Sequence, residues 1–181
     1  ESVDRVYIIC DVLTQSSDNS YEIQLKEWHK VDVKDMVRIG DNDADKYKNE
    51  DGNVVSDPIN VAGAWMGRNM LNMNINYVVK KESPGAHDYD LLFNDVKSVG
   101  DTVYLQLVHN AYDEYYGNSI YKDTDLKVEN GFLSVPIEEV IPDGKDKIFI
   151  KLEWRWHKIE NNSIVKETTD YFTTGSLTKQ Q

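Results

Sequence analysis

The segment KIFIKLEWRWHK, residues 147–158, alternates between two kinds of position. Ile148, Ile150, Leu152, Trp154 and Trp156 fall on one side, and Phe149, Lys151, Glu153, Arg155 and His157 on the other. A period of two is the period of a β-strand; a helix with this pattern would scatter its apolar residues around its circumference. The pattern predicts a half-buried antiparallel strand with one face on a core. It recurs in LNMNINYVV, where Leu71, Met73, Ile75, Tyr77 and Val79 oppose Asn72, Asn74 and Asn76. It recurs again in TVYLQLVHN, where Val103, Leu105, Leu107 and His109 oppose Tyr104, Gln106, Val108 and Asn110. Asparagine is a poor strand former, so burial of the opposite face has to hold the 71–79 segment in place.

Further strands are expected over 5–13, 21–28, 131–137 and 163–173, with turns at SSDNS, EDGN, SPGAHD, VENG, PDGKD and ENNS. Only VDVKDMVRI, 31–39, reads as a short helix of one or two turns, with Asp32 or Asp35 as its cap. Many short strands separated by turn chemistry point to an all-β sandwich or barrel. With 181 residues, 40% of them hydrophobic, the chain can build one large core or two small ones. Trp154 and Trp156 are expected in that core, and Trp28 and Trp65 in the core or at an interface between modules. The acidic, apolar-poor stretch GDNDADKYKNEDGNVVSDP, 40–58, reads as a solvated linker and marks the boundary between them.

Thirty-two acidic against twenty basic residues give a net charge of -12, which repels phosphate backbones and anionic lipid. Nucleic acid is therefore disfavoured as a partner, while a basic or neutral partner fits. No stretch approaches the roughly 20 apolar residues that span a bilayer. Cys10 is the only cysteine, so no internal disulfide forms, and its place in VYIIC marks a packed thiol.

The usual catalytic and metal patterns are missing. His29, His87, His109 and His157 lack zinc-site spacing. Asp41, Asp43 and Asp45 alternate like calcium ligands, but Lys46 stands where the loop needs glycine and Gly52 where it needs a bidentate glutamate. There is no nucleophile elbow and no glycine-rich phosphate cradle. Asp113 and Glu114, neighbours in sequence, point away from each other and make a poor acid/base couple. No catalytic residue, metal or cofactor is expected, and the chain reads as a binding protein rather than an enzyme.

LVHNAYDEYYG, 107–117, is the most suggestive stretch. Tyr112, Tyr115, Tyr116 and Tyr121 crowd a polar, glycine-containing loop that follows a strand. Loop tyrosines supply rigid amphipathic contact area for a protein or a sugar. They serve equally well folded back over a sandwich edge.

Three stretches, taken in order, resemble the NigD-like proteins of Bacteroidetes. RVYIICDVL with YEIQLKEWHKVDVKDMV is similar to the end of that family's N-terminal OB-type module. SDPINVAGAWMGRNMLNMNINY resembles its strand pair, here Asp57, Pro58, Ile59, Trp65, Gly67, Leu71 and Asn72. LQLVHNAYDEYYG resembles its strand end, here Leu107, His109, Asn110, Ala111 and Asp113, with Val108 where the family tends to have arginine. The resemblance implies a partial OB-like module over 1–57 and a C-terminal β-sandwich over 58–181. It also implies a lipoprotein precursor with a lipid anchor at the cell envelope, periplasmic or on the outer membrane, and bacteriocin immunity through binding a protein toxin. Trp65, Gly67, Leu71, Asn72, His109 and Asn110 are then architectural: His109 turns inward with its second ring nitrogen on backbone, and Asn110 caps the turn into the tyrosine loop. A surface glycan-binding module that stacks sugars on the four tyrosines is the alternative, and a glycoside hydrolase a distant third.

Overall fold

The computed structural model describes residues 5–16, 19–40, 42–67, 69–115, 120–142, 148–160 and 163–174, the last segment and 157–160 by their backbone. Eleven strands are described: β1 Val6–Gln15, β2 Tyr21–Lys30, β3 Asp32–Val33, β4 Val37–Arg38, β5 Asn60–Gly67, β6 Met70–Lys80, β7 Asp88–Phe93, β8 Thr102–Asn110, β9 Leu126–Pro136, β10 Phe149–Glu160 and β11 Ser163–Thr174. The chain is an all-β protein. One sheet runs in the order β11-β10-β8-β7-β4, a second in the order β3-β9-β6-β5, and β1 and β2 form a separate hairpin. Neighbours are antiparallel except β8/β10, β3/β9 and β4/β7, which are parallel.

The two larger sheets face each other across one core. Leu71, Met73 and Ile75 of β6 and Leu133 and Val135 of β9 meet Leu91 of β7, Leu105 and Leu107 of β8, and Ile150, Leu152 and Trp154 of β10. Trp156 packs at its margin. Alternation is the cause: each of these residues sits two from the next along its strand, so one face goes dry while the other remains available to solvent or to a further layer.

A further layer does form. Tyr104 and Val108, on the side of β8 opposite Leu105 and Leu107, are buried as well. Val108 and Leu92 pack under Ala44 and Tyr47 of a 3-10 turn, Asn42–Tyr47. The linker expectation for 40–58 is corrected here. Ala44, Tyr47 and Val54 of this stretch pack into that layer, and the Tyr47 hydroxyl donates to Asp90 Oδ2 at 2.8 Å while Lys46 Nζ reaches the same oxygen at 2.6 Å.

The short helix expected over 31–39 is absent. That stretch contributes β3 and β4, each two residues long, one to each sheet, because Val33 and Val37 are β-branched and the sheet edges offer backbone partners. VENG is a strand interior rather than a turn. Gly131 lies opposite Ile75, and a Cβ there would come within 3.3 Å of the Tyr77 ring, so glycine makes room for the tyrosine. The sheets thus draw in residues from before position 58. What lies outside them in the described part of 1–57 is mainly the β1–β2 hairpin, which forms no closed barrel.

The hairpin sits on the outer face of the four-stranded sheet. Tyr7 stacks on Phe132 at 4.3 Å between centroids and lies 5.9 Å from Trp65, while Arg5 Nη1 donates to Ser134 Oγ at 2.9 Å. Trp65 is therefore an interface residue. Trp28 is neither core nor interface: it is 58% exposed, because the sandwich covers only one side of the hairpin.

Candidate functional site, the tyrosine loop and its buried clamp

Two family-like stretches some fifty residues apart close on each other at the end of β8. Ser56 Oγ accepts from the His109 backbone N–H at 3.0 Å, and the Asp57 N–H donates to the His109 carbonyl at 2.8 Å. Asp57 Oδ2 accepts from the Ala111 N–H at 2.8 Å. His109 Nδ1 lies 3.0 Å from the Pro58 carbonyl oxygen, and Ile59, next in line, is fully buried. SDPI and HNA are thus two halves of one lock. Asn72 plays a comparable part on the other sheet: its Oδ1 accepts from Ser134 Oγ at 2.6 Å. Leu71 beside it is core, and Gly67 ends β5 opposite Met70 with open space above it.

Beyond the lock the backbone turns sharply. Asn110 Oδ1 accepts from the Tyr112 N–H at 3.0 Å, an Asx turn. Tyr112 and Asp113 then take φ values of 47° and 71°, two successive left-handed residues neither of which is glycine. The corner drives Glu114 inward, where it is buried, and leaves Asp113 outside. Glu114 accepts from the backbone N–H of Lys80 at 3.0 Å and of Gly85 at 3.0 Å, and pairs with Lys80 Nζ at 3.0 Å. Burial alone would raise the Glu114 carboxyl, but the N–H and ammonium of Lys80, the Gly85 N–H and His87 together bring it down to about 2.

His87 completes a chain of buried groups. Its Nε2 lies 3.3 Å from Glu114 Oε2 and its Nδ1 lies 2.9 Å from His109 Nε2. The Pro58 carbonyl can only accept, so His109 Nδ1 carries a proton and, in the neutral ring, Nε2 accepts from His87. Burial, then repulsion from His87, hold the His109 imidazole down at about 4, so that neutral form is the relevant one. A carboxylate followed by two imidazoles resembles a proton relay, yet this one ends on a carbonyl with no proton to exchange. Its chemistry is that of a clamp.

Of the sequence-predicted tyrosines, Tyr112, Tyr115 and Tyr121 fall among the described residues. Tyr112 is 54% exposed with its hydroxyl on Asp88 Oδ2 at 2.5 Å. Tyr115 is half-buried. Tyr121 is half-buried beneath Lys80, whose Nζ stands 5.1 Å from the ring centroid. Tyr116 lies outside the described residues. Sequence reasoning missed His87, Lys80 and the inward role of Glu114. Their partners are 22 to 34 positions away, and no short spacing announces them. Among the described residues, no group of three or more His, Cys, Asp or Glu is arranged to hold a metal, and no helix is long and apolar enough to cross a membrane.

Residues 42–169 match the family model of the NigD-like C-terminal beta sandwich domain. Among solved structures the fold is shared with a NigD-like immunity protein from Bacteroides caccae, over 94% of this chain and 76% of that one, at 18% identity and a TM-score of 0.58. It is also shared with a protein from Parabacteroides distasonis provisionally named toxin-related, over 97% and 74%, at 16% identity and a TM-score of 0.58. A third, from Bacteroides fragilis and provisionally named a lipoprotein, aligns over 97% and 82% at 16% identity and a TM-score of 0.59. No curated protein matches the chain.

Proposed function

This chain belongs to the NigD-like family, and from that premise we propose that it is a non-enzymatic binding protein of the cell envelope whose partner is a protein toxin that it neutralises. The observation that carries the reading is the Tyr112–Asp113 corner. Two adjacent left-handed residues other than glycine cost on the order of 1–3 kcal/mol each, and such strain gathers at surfaces that are used. Here it is held by the SDPI–HNA lock below and by buried Glu114 behind, so that Tyr112 is presented already in place. A contact ordered before binding loses little entropy on binding. Tyr115 and Tyr121, each half-buried, add the aromatic area they leave uncovered.

The names of two structural neighbours, an immunity protein and a toxin-related protein, support a protein partner. The net charge of -12 suits a basic toxin through complementary potential and rapid encounter. A lipid-anchored precursor, periplasmic or on the outer membrane, accords with the lipoprotein name of the third neighbour. In this reading the β1–β2 hairpin belongs to an OB-like N-terminal module.

The test is protection: the full-length protein is displayed on a sensitive strain and challenged with a producer strain's bacteriocin. Survival is expected, and it is lost in Tyr112→Ala combined with Tyr115→Ala. Killing of cells on which the protein is confirmed at the surface overturns the proposal. With purified toxin, the association rate is expected to fall about tenfold or more between roughly 0.05 and 0.5 M salt; a salt-independent rate removes the electrostatic part.

A further inference from the structure

The outer face of the four-stranded sheet is left over by both the core and the clamp. Asn74 and Asn76 point outward from β6, Asn60 pairs with Asn76 from β5, and Asn130 pairs with Asn76 from β9. Asn130 Nδ2 donates to Asn74 Oδ1 at 2.7 Å and to Asn76 Oδ1 at 2.8 Å. Those two hydrogen bonds fix three amides side by side. It leaves the Nδ2 groups of Asn74 and Asn76 and the Oδ1 of Asn130 without a partner among the described residues.

Next to the amides the surface is notched and aromatic. Gly63, opposite Asn74, has open space where a side chain would stand. Trp65, two residues on, remains 41% exposed, with the Tyr7 side of the hairpin forming a wall beside it. None of Asn60, Gly63, Trp65, Asn74, Asn76 and Asn130 bears a charge, in a chain where 29% of residues do. Asparagine is disfavoured in strands, so keeping three at neighbouring strand positions costs stability that threonine or valine would not.

We propose that this face is a binding surface for a neutral oligosaccharide. An amide pairs one donor and one acceptor with adjacent hydroxyls, which charged side chains are not needed to recognise. The indole of Trp65 offers a flat apolar surface for the C–H face of a sugar ring, as aromatic groups do at wet interfaces. An ionic ligand would leave its charge unanswered here. The site is independent of the tyrosine loop, and the sugar recognition that the sequence offers there as an alternative finds a better chemical match on the sheet.

The experiment is affinity electrophoresis of the purified chain through gels containing soluble neutral polysaccharides, a β-glucan, a xylan and a mannan, with polygalacturonate as the anionic comparison. Retardation by at least one neutral polymer is expected, weakened about tenfold or more in Asn74→Thr with Asn76→Thr and in Trp65→Ala, tenfold being about 1.4 kcal/mol. The threonine variant is chosen to fold: its melting temperature is expected to rise as its binding falls. No retardation by any neutral polymer, retardation by polygalacturonate alone, or binding that survives these substitutions and is lost in Tyr112→Ala overturns the proposal.

Discussion

Single atoms decide the geometry of the tyrosine loop. A Cβ at Gly85 would stand 2.6 Å from Glu114 Oε1, an oxygen of a buried carboxylate already held by the Gly85 N–H and Lys80 Nζ. Gly85→Ala is therefore expected to destabilise the chain by about 1–3 kcal/mol in urea unfolding and to loosen the loop, whereas Gly63→Ala, which meets nothing, is expected to be near neutral. Protonation gives a second prediction. His109 binds its proton less readily folded, at about 4, than at its ordinary 6.5, so the unfolded chain takes up more protons between those values and stability falls as pH falls through them. Glu114, at about 2 against 4.5, behaves as an anion stabilised by folding, and its contribution is lost as pH drops from 4.5 towards 2. Both effects run towards acid instability. In His109→Gln the slope of melting temperature against pH is expected to flatten between 6.5 and 4 relative to the unaltered chain; an unchanged slope assigns the loss to other groups. The inward turn of His109 onto a backbone carbonyl agrees with what the resemblance implied, but the Glu114–His87 part of the clamp was not legible in the sequence. His87 reads there as part of a turn and Glu114 only as a neighbour pointing away from Asp113, since burial by a distant strand leaves no trace in local spacing.

Elements were legible wherever burial was one-sided. β6 and β10 announce themselves because one face is apolar and the other is not, and the structure places Leu71, Met73, Ile75, Ile150, Leu152 and Trp154 in the shared core accordingly. β7 was missed because both its faces are covered: Leu91 meets the core, while Leu92 meets the 3-10 turn, so DYDLLF shows no clean alternation. The same second layer hid the role of Tyr47, which stands among acidic and lysine residues that look solvated. Its removal tests the layer. Tyr47→Phe deletes the hydrogen bond to Asp90 and is expected to cost about 1 kcal/mol, while Tyr47→Ala also empties the space over Leu92 and Val108 and is expected to cost about 3–5 kcal/mol. Equal costs in urea unfolding would show that packing contributes nothing there.

At the scale of the whole molecule, the hairpin and the sandwich are unequal in their means of support. A two-stranded ribbon is marginal alone in water, and Val6, Ile8, Val12, Leu13, Ile23, Leu25 and Trp28 are all exposed on it. Its order therefore depends on the Tyr7–Phe132 stack and the Arg5–Ser134 contact. Phe132→Ala is expected to make 6–30 the first segment cut in limited proteolysis while the 60–160 region stays resistant; uniform resistance would show that the hairpin stands without that stack. The parallel pairing of β8 with β10 has a kinetic consequence. Thr102 and Phe149 become partners only after the chain has crossed to the other sheet, laid down β9 and returned, and Asp32 finds Leu133 across a still longer separation. Contacts so remote along the chain form late, and sheets built from them fold on a scale of about milliseconds to seconds rather than microseconds. Newly made or newly unfolded, this protein spends that interval with its strand edges open, and its refolding yield is expected to fall as its concentration rises.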